Sequence, residues 1–177
     1  MINRSDRPVD AITARVRERF PTIKHIGLRN VSTTHKELQI ELANGTKIPA
    51  SMASEGLLYY LAFATLPYLH ANASILLIEE PENGLHPARI RDVVATLREI
   101  SKTTQILIAT HSPILVNELQ PHEIFVTTRD PKLGTRVIRL DRTPNFAERA
   151  RVYHPGELWV AYADGDTEAA LVGEDEA

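Results

Sequence analysis

Ile75-Leu76-Leu77-Ile78-Glu79-Glu80-Pro81 is an apolar run that ends in two carboxylates and a proline. From Ser74 to Glu79 no polar residue alternates with the apolar ones. The segment therefore reads as a buried strand of the kind found in parallel sheets covered on both faces. Pro87 to Ile100 follows as a helix with proline at its start. Gln105 to Thr110 reads as a second buried strand, and Pro113 to Leu119 as a short helix. Glu123 to Thr128 and Arg136 to Leu140 are further strands, joined by a loop holding Asp130-Pro131 and Gly134. Alternation of strand and helix predicts an α/β fold, a mainly parallel sheet flanked by helices.

Upstream, Val9 to Phe20 carries Ile12, Val16 and Phe20 at a spacing of four among Arg15, Arg17, Glu18 and Arg19. That is an amphipathic helix ended by Pro21. Ile23 to Leu28, Glu37 to Leu42 and Thr46 to Ile48 read as strands, with Leu38, Ile40 and Leu42 alternating. Asn44-Gly45 marks a hairpin turn, since both residues tolerate positive φ. Ser54 then caps a helix running to about Leu69, apolar nearly all round and so expected to be deeply packed.

Three constellations carry chemistry. Ligands of open α/β sheets bind outside the carboxyl ends of the strands, and Glu79-Glu80 stands at such an end. One carboxylate can hold Mg²⁺ and the other can orient or deprotonate a water. Two like charges there are costly without a cation. Ile106 to Thr110 is another apolar strand, and it runs into His111. A neutral imidazole donates from one nitrogen and accepts at the other. At that edge it can meet a terminal phosphate oxygen or the attacking water; taken alone, it reads first as a cap of the helix that starts near Ser112. Ser51-Met52-Ala53-Ser54-Glu55-Gly56 places a hydroxyl and a glycine at a helix start. That suits an anion, though taken by itself the segment reads first as plain capping.

The order and spacing of these segments resemble the ABC ATPase superfamily, closest to its AAA-named branch of OLD-, RecF- and SMC-like proteins. Ser54-Glu55-Gly56 looks like the signature motif and Glu79-Glu80 like the Walker B end. Pro81-Glu82-Asn83-Gly84-Leu85-His86-Pro87 looks like the D-loop, and Thr110-His111-Ser112-Pro113 like the switch-histidine loop. Phe20-Pro21 and Gly156-Glu157-Leu158-Trp159 also look like family positions. The resemblance implies the P-loop NTPase fold, here the C-terminal lobe of an ABC ATPase. It implies ATP as ligand, Mg²⁺ at Glu79, Glu80 as general base and His111 as γ-phosphate sensor. Ser54, Glu55 and Gly56 would meet nucleotide held by a second ATPase unit, with Asn83, Gly84 and His86 at the dimer interface. The family usually has Asp where Glu79 stands, a departure that this branch accepts. One lobe is expected over 1–172, with an N-terminal helix and hairpin segment (1–50), a core from signature to histidine (51–160), and a disordered acidic tail (173–177).

A phosphate-binding loop reads GxxxxGK[ST], and none of the eight glycines is followed by lysine. The loop's amides and lysine are the main holders of the β- and γ-phosphates. The isolated chain is therefore expected to have no meaningful ATPase activity. It reads as a fragment, as half of a split ATPase, or as a remnant kept as a protein-interaction module in a defence or DNA-repair complex. A missing N-terminal lobe would leave apolar faces and strand edges unpaired, which predicts a loop-bearing chain or a second ATPase unit as partner, in a homo- or hetero-oligomer.

The remaining features narrow the function by exclusion. A formal net charge of −3 gives no global case for nucleic acid, which enters only by family analogy. No cysteine is present, so neither a disulfide frame nor a thiolate metal site can form. The histidines show no zinc spacing. Apolar stretches fall far short of the roughly 20 residues of a membrane span, and Met1 to Asp6 lacks the apolar core of a signal peptide. The expectation is a cytoplasmic protein away from membranes. Arg89, Arg91 and Arg98 read as a solvated helix face, Trp159 as packing, and the acids of Ala163 to Glu168 as a solvated tail that only faintly resembles the start of an OLD-type nuclease domain.

Overall fold

A computed structural model describes residues 7–69, 73–130 and 134–161. The acidic tail and the segment from Ala163 to Glu168 lie outside the described residues. The chain divides into two compact units, Met1–Ile108 and Ala109–Ala177.

The first unit opens with α1 (Arg7–Arg19), followed by β1 (Ile23–Asn30), β2 (Lys36–Leu42) and β3 (Lys47–Pro49). These strands form an antiparallel sheet in the order β1-β2-β3. Register pairs Ile26 with Ile40 and Ile40 with Ile48, which stacks the apolar residues on one face. The turn at Asn44-Gly45 forms as expected, but only Gly45 takes a positive φ, of 84°. Asn44 contributes its side chain instead, accepting from the Thr46 amide at 3.0 Å.

Helix α2 (Glu55–Thr65) ends earlier than expected and passes into a single 3-10 turn, Leu66–Tyr68. It buries Leu57, Tyr60, Leu61 and Ala64, while Tyr59 on another face is exposed. One side of this apolar helix is thus uncovered, contrary to the expectation of deep packing. Helix α3 (Pro87–Ile100) has the expected bounds and buries Ile90, Val93, Val94 and Leu97. The core joins Val16, Ile23, Ile26, Ile40, Leu57, Leu61, Val93 and Leu97.

Arg89 does not belong to a solvated face. Its guanidinium lies 5.3 Å over the Phe20 ring and donates to the Arg19 carbonyl at 2.8 Å, satisfying a carbonyl at the C-terminus of α1. Arg19 in turn meets Asp92 at 2.7 Å, and Arg15 donates to the Thr96 hydroxyl at 2.7 Å. These contacts clamp α1 to α3.

β4 (Ile75–Glu79) and β5 (Gln105–Ala109) pair with each other. The Gln105 amide, at the start of β5, donates at 3.0 Å to the Ser74 carbonyl, just ahead of β4. Starts therefore pair with starts, and the strands are parallel, as the intervening α3 requires. Burial on both faces is overturned. Ile78, Ile106 and Ile108 pack on the core, but Ile75, Leu77 and Leu107 are 46%, 66% and 59% exposed. Both strands alternate, with one covered face and one bare apolar face. Parallel pairing among the described residues is confined to these two strands.

The second unit contains α4 (Pro113–Val116), β6 (Phe125–Asp130), β7 (Gly134–Arg139), α5 (Phe146–Arg149) and α6 (Pro155–Ala161). β6 and β7 form an antiparallel hairpin that pairs Val126 with Ile138. Val126 and Leu140 form its small core with Ile124, Ile138 and Phe146. Among the described residues no helix is long and apolar enough to cross a membrane.

Candidate functional site

Glu79 is the last residue of β4 and is exposed. By the alternation of the strand it stands on the same face as Ile75 and Leu77, at the rim of the bare surface. Glu80 follows with φ of 44°, a left-handed conformation that a non-glycine residue holds at a cost of order 1–3 kcal/mol. Two contacts secure it. The Asn83 amide donates to the Glu80 carbonyl at 3.0 Å, closing a turn, and the Asn83 side-chain Nδ2 donates to Glu80 Oε2 at 2.9 Å. The carboxylate of Glu80 is therefore tied to the turn that follows it. Asn83, read from the sequence as an interface residue, also orients this carboxylate.

The turn continues through Gly84, whose φ is 72°. A Cβ at Gly84 would stand 2.8 Å from the Tyr59 ring, and a Cβ at Gly56 would stand 2.7 Å from the Gly84 carbonyl oxygen. The start of α2 and the turn after β4 are thus in backbone contact, although the two glycines are 28 positions apart in the chain. Glycine is demanded by space at both positions, and at Gly84 by φ as well. Ser54 is the N-cap of α2, its hydroxyl accepting from the Leu57 amide at 3.4 Å. Glu55 opens the helix, exposed, with its Cγ 3.6 Å from where a Cβ of Gly84 would lie. His86 caps α3, its Nδ1 accepting from the Ala88 amide at 3.2 Å.

These contacts bring Ser54, Glu55, Gly56, Glu79, Glu80, Asn83, Gly84 and His86 into one neighbourhood of the first unit. Chemically it offers two adjacent carboxylates, one exposed and one hydrogen-bonded, beside a helix N-terminus. Carboxylate oxygens are hard donors of the type Mg²⁺ takes, one or two per ion alongside phosphate oxygens. The exposed Glu79 fits that role by donor chemistry.

His111 lies in the second unit, two residues past the end of β5. It is exposed. It is not the cap of α4, because Ser112 is: the Ser112 hydroxyl accepts from the Leu115 amide at 3.3 Å. The His111 ring lies beside Trp159 of α6, with centroids 6.2 Å apart and planes inclined by 37°. From the sequence, Trp159 reads as packing alone. No signal in the linear sequence points to this ring contact, since the two residues are 48 positions apart in the chain.

A family model described as "AAA domain, putative AbiEii toxin, Type IV TA system" matches residues 5–117, more than half of the chain. An uncharacterized protein of Methanocaldococcus jannaschii is 33% identical over 93 residues, 49% of this chain and 24% of that protein. The chain thus spans about a quarter of that relative's length. Among solved structures, one from work on ATP-driven dimerization and DNA-stimulated activation of SMC ATPases aligns with a TM-score of 0.58 at 17% identity, covering 84% of this chain and 92% of that one. The SMC head domain from Thermotoga maritima aligns at 0.53 and 17% identity, over 76% of this chain and 47% of that one. The Pyrococcus furiosus Smc head bound to the C-terminal domain of ScpA aligns at 0.57 and 15%, over 81% and 37%. At these identities the structures speak for the fold, which is the P-loop NTPase-like α/β fold of SMC heads. The family match covers the α2 start and both glutamates, and the chain belongs to this AAA-domain family, an ABC-type ATPase module.

Proposed function

We propose that this chain is the half of an ABC-type ATPase that supplies the catalytic carboxylates and the signature segment. It works with a segment or partner chain that brings the phosphate-binding loop. The observation that carries this reading is the bare apolar face of the β4–β5 pair, with Glu79 at its rim. A parallel sheet is ordinarily covered on both faces. Full covering of a Leu or Ile side chain is worth about 1.5–3 kcal/mol, so Ile75, Leu77 and Leu107 favour association with an apolar layer. Whatever layer covers them lies beside Glu79, where phosphates have to be held.

In this reading Glu79 holds Mg²⁺, which when bound offsets negative charge on the β- and γ-phosphates of ATP. Glu80 accepts a proton from the attacking water and keeps it in line with the γ-phosphorus. His111 donates a hydrogen bond to a γ-phosphate oxygen. Ser54 and Gly56 offer a hydroxyl and a backbone amide to the γ-phosphate of nucleotide held by a second unit, with Glu55 beside them. Asn83, Gly84 and His86 lie at that interface. The chain forms one functional lobe, in the cytoplasm, within a homo- or hetero-oligomer. The SMC neighbours' ATP-driven dimerization and DNA-stimulated activation support two such units closing on ATP, with DNA as a target by analogy.

The test is ATP turnover by the purified chain alone, and by the chain combined with a GxxxxGK[ST]-bearing segment encoded upstream or beside it. Alone, the chain turns over no ATP above background. Combined, it does, and Glu80→Gln lowers the rate by about 10²–10⁴-fold, the usual worth of a general base. Ordinary turnover by the lone chain, or turnover in the mixture that survives Glu80→Gln, overturns the reading. Association with the loop-bearing partner without any turnover favours the alternative, an interaction module that has lost catalysis.

A further inference from the structure

The role given to His111 asks for an imidazole held in one orientation. Yet His111 is exposed and lies on the short link between β5 and α4. An exposed side chain on such a link samples several rotamers unless something restrains it. The backbone of the link is secured locally, since the Ser112 amide donates to Thr110 Oγ1 at 3.0 Å and Ser112 caps α4. Beside the ring stands Trp159 of α6.

Helix α6 sits unusually close to α4. The Gly156 amide donates to Asn117 Oδ1 at 2.7 Å. A Cβ on Gly156 would overlap the Pro113 carbonyl oxygen and stand 2.8 Å from Asn117 Oδ1. Only glycine allows this approach, and the backbone it grips begins two residues after His111. Leu158, 2% exposed, anchors the helix inward. The α6 start is closed by the His154 amide donating to Glu157 Oε2 at 2.7 Å. Trp159, one turn on from Gly156, then lies beside the His111 ring.

We propose that Trp159 is a positioning residue for His111 and that Gly156 is the contact that delivers it. This rests on the reading of His111 as the phosphate-sensing imidazole. A flat indole beside the imidazole limits rotation about the outer side-chain bond. It thereby fixes the directions in which the two ring nitrogens donate and accept. Each residue of Gly156-Glu157-Leu158-Trp159 thus acquires a physical role. Gly156 makes the close approach, Glu157 closes the helix start, Leu158 anchors it, and Trp159 supports the histidine.

The test uses the nucleotide-free chain. Its single tryptophan makes ring-current shifts on a histidine assignable to one source. In wild type the His111 ring carbon-bound protons are displaced by the indole and show cross-relaxation to it. Trp159→Leu returns them to the positions of an unrestrained histidine, while Trp159→Phe retains a displaced signal. Both variants keep the amide spectrum of the β6–β7 hairpin. Identical His111 signals in wild type and the Leu variant overturn the proposal, as does a Phe variant that behaves like Leu. Gly156→Ala should move His111 in the Leu direction; should it unfold, the Leu and Phe pair still decides. Because no nucleotide is present, unchanged His111 signals would strike the positioning and leave the carboxylate site standing. Failure of the Glu80→Gln experiment would strike the nucleotide reading and leave the ring contact standing.

Discussion

Gly56 and Gly156 each let one backbone approach another to a distance that no side chain permits, but their settings differ. Gly56 lies in the first turn of α2 and meets the Gly84 carbonyl oxygen across a turn whose other face is exposed. Gly156 is buried and meets the Pro113 carbonyl oxygen and the Asn117 side chain together, while its own amide is hydrogen-bonded to that side chain. The first glycine falls in a segment that resembles a phosphate-contacting motif. The second falls in one with no role legible from the residues. The difference teaches caution with motif glycines: Gly56 is required by packing whether or not a phosphate ever reaches it.

The largest expected effect is at Gly156. Gly156→Ala places a Cβ against backbone, which cannot swing away, and overpacking of this kind costs about 1–3 kcal/mol, occasionally more. We expect a loss at the upper end of that range in urea unfolding. At Gly56 the added Cβ also meets backbone, but less closely, at 2.7 Å from the Gly84 carbonyl oxygen, and alanine gains up to about 1 kcal/mol of helix propensity over glycine. Gly56→Ala should therefore cost less, at the lower end of the same range. If Gly56→Ala proves neutral or stabilising while the site loses activity, packing is not what the glycine is for, and the comparison breaks in favour of a phosphate role.

The smallest effect serves as a background against which to read both. Asp141 accepts from Arg139 Nε at 2.6 Å and from Nη2 at 3.0 Å. The hydrogen bonds to that guanidinium hold its carboxyl below the ordinary aspartate range. A lowered folded-state value contributes stability that is present above the unfolded value and is lost as pH falls through the folded one. The melting temperature of Asp141→Asn should lie slightly below wild type at neutral pH and converge with it in acid. A gap that widens on acidification would contradict the sign. The two glycine variants carry no such titration, so their deficits should hardly change over the same pH range.

Much of the fold was legible because it depends on neighbours in the chain. The turn at Gly45, the bounds of α3 with Pro87 behind its cap, and the acidic end of β4 all follow from residues within a few positions of each other. The same local reading failed where the answer depends on what lies across a surface. Leu77 and Leu107 are as apolar as Ile78 and Ile108, and an unbroken apolar run cannot say which of its faces is covered. The local reading also made a solvated cation of Arg89, which in fact closes the end of α1 some 70 residues away.

The candidate site divides in the same way. Residue type and order marked Glu79, Glu80 and His111, because carboxylate and imidazole chemistry is carried by the side chain itself, whereas Asn83 entered only through the resemblance of its segment to the D-loop. Folding alone decided that Glu80 adopts a left-handed backbone, that Asn83 holds its carboxylate, that Gly56 meets Gly84, and that Trp159 lies beside His111. The reason is physical: chemistry belongs to a single residue, whereas strain, orientation and close approach belong to pairs of residues that a linear order does not bring together.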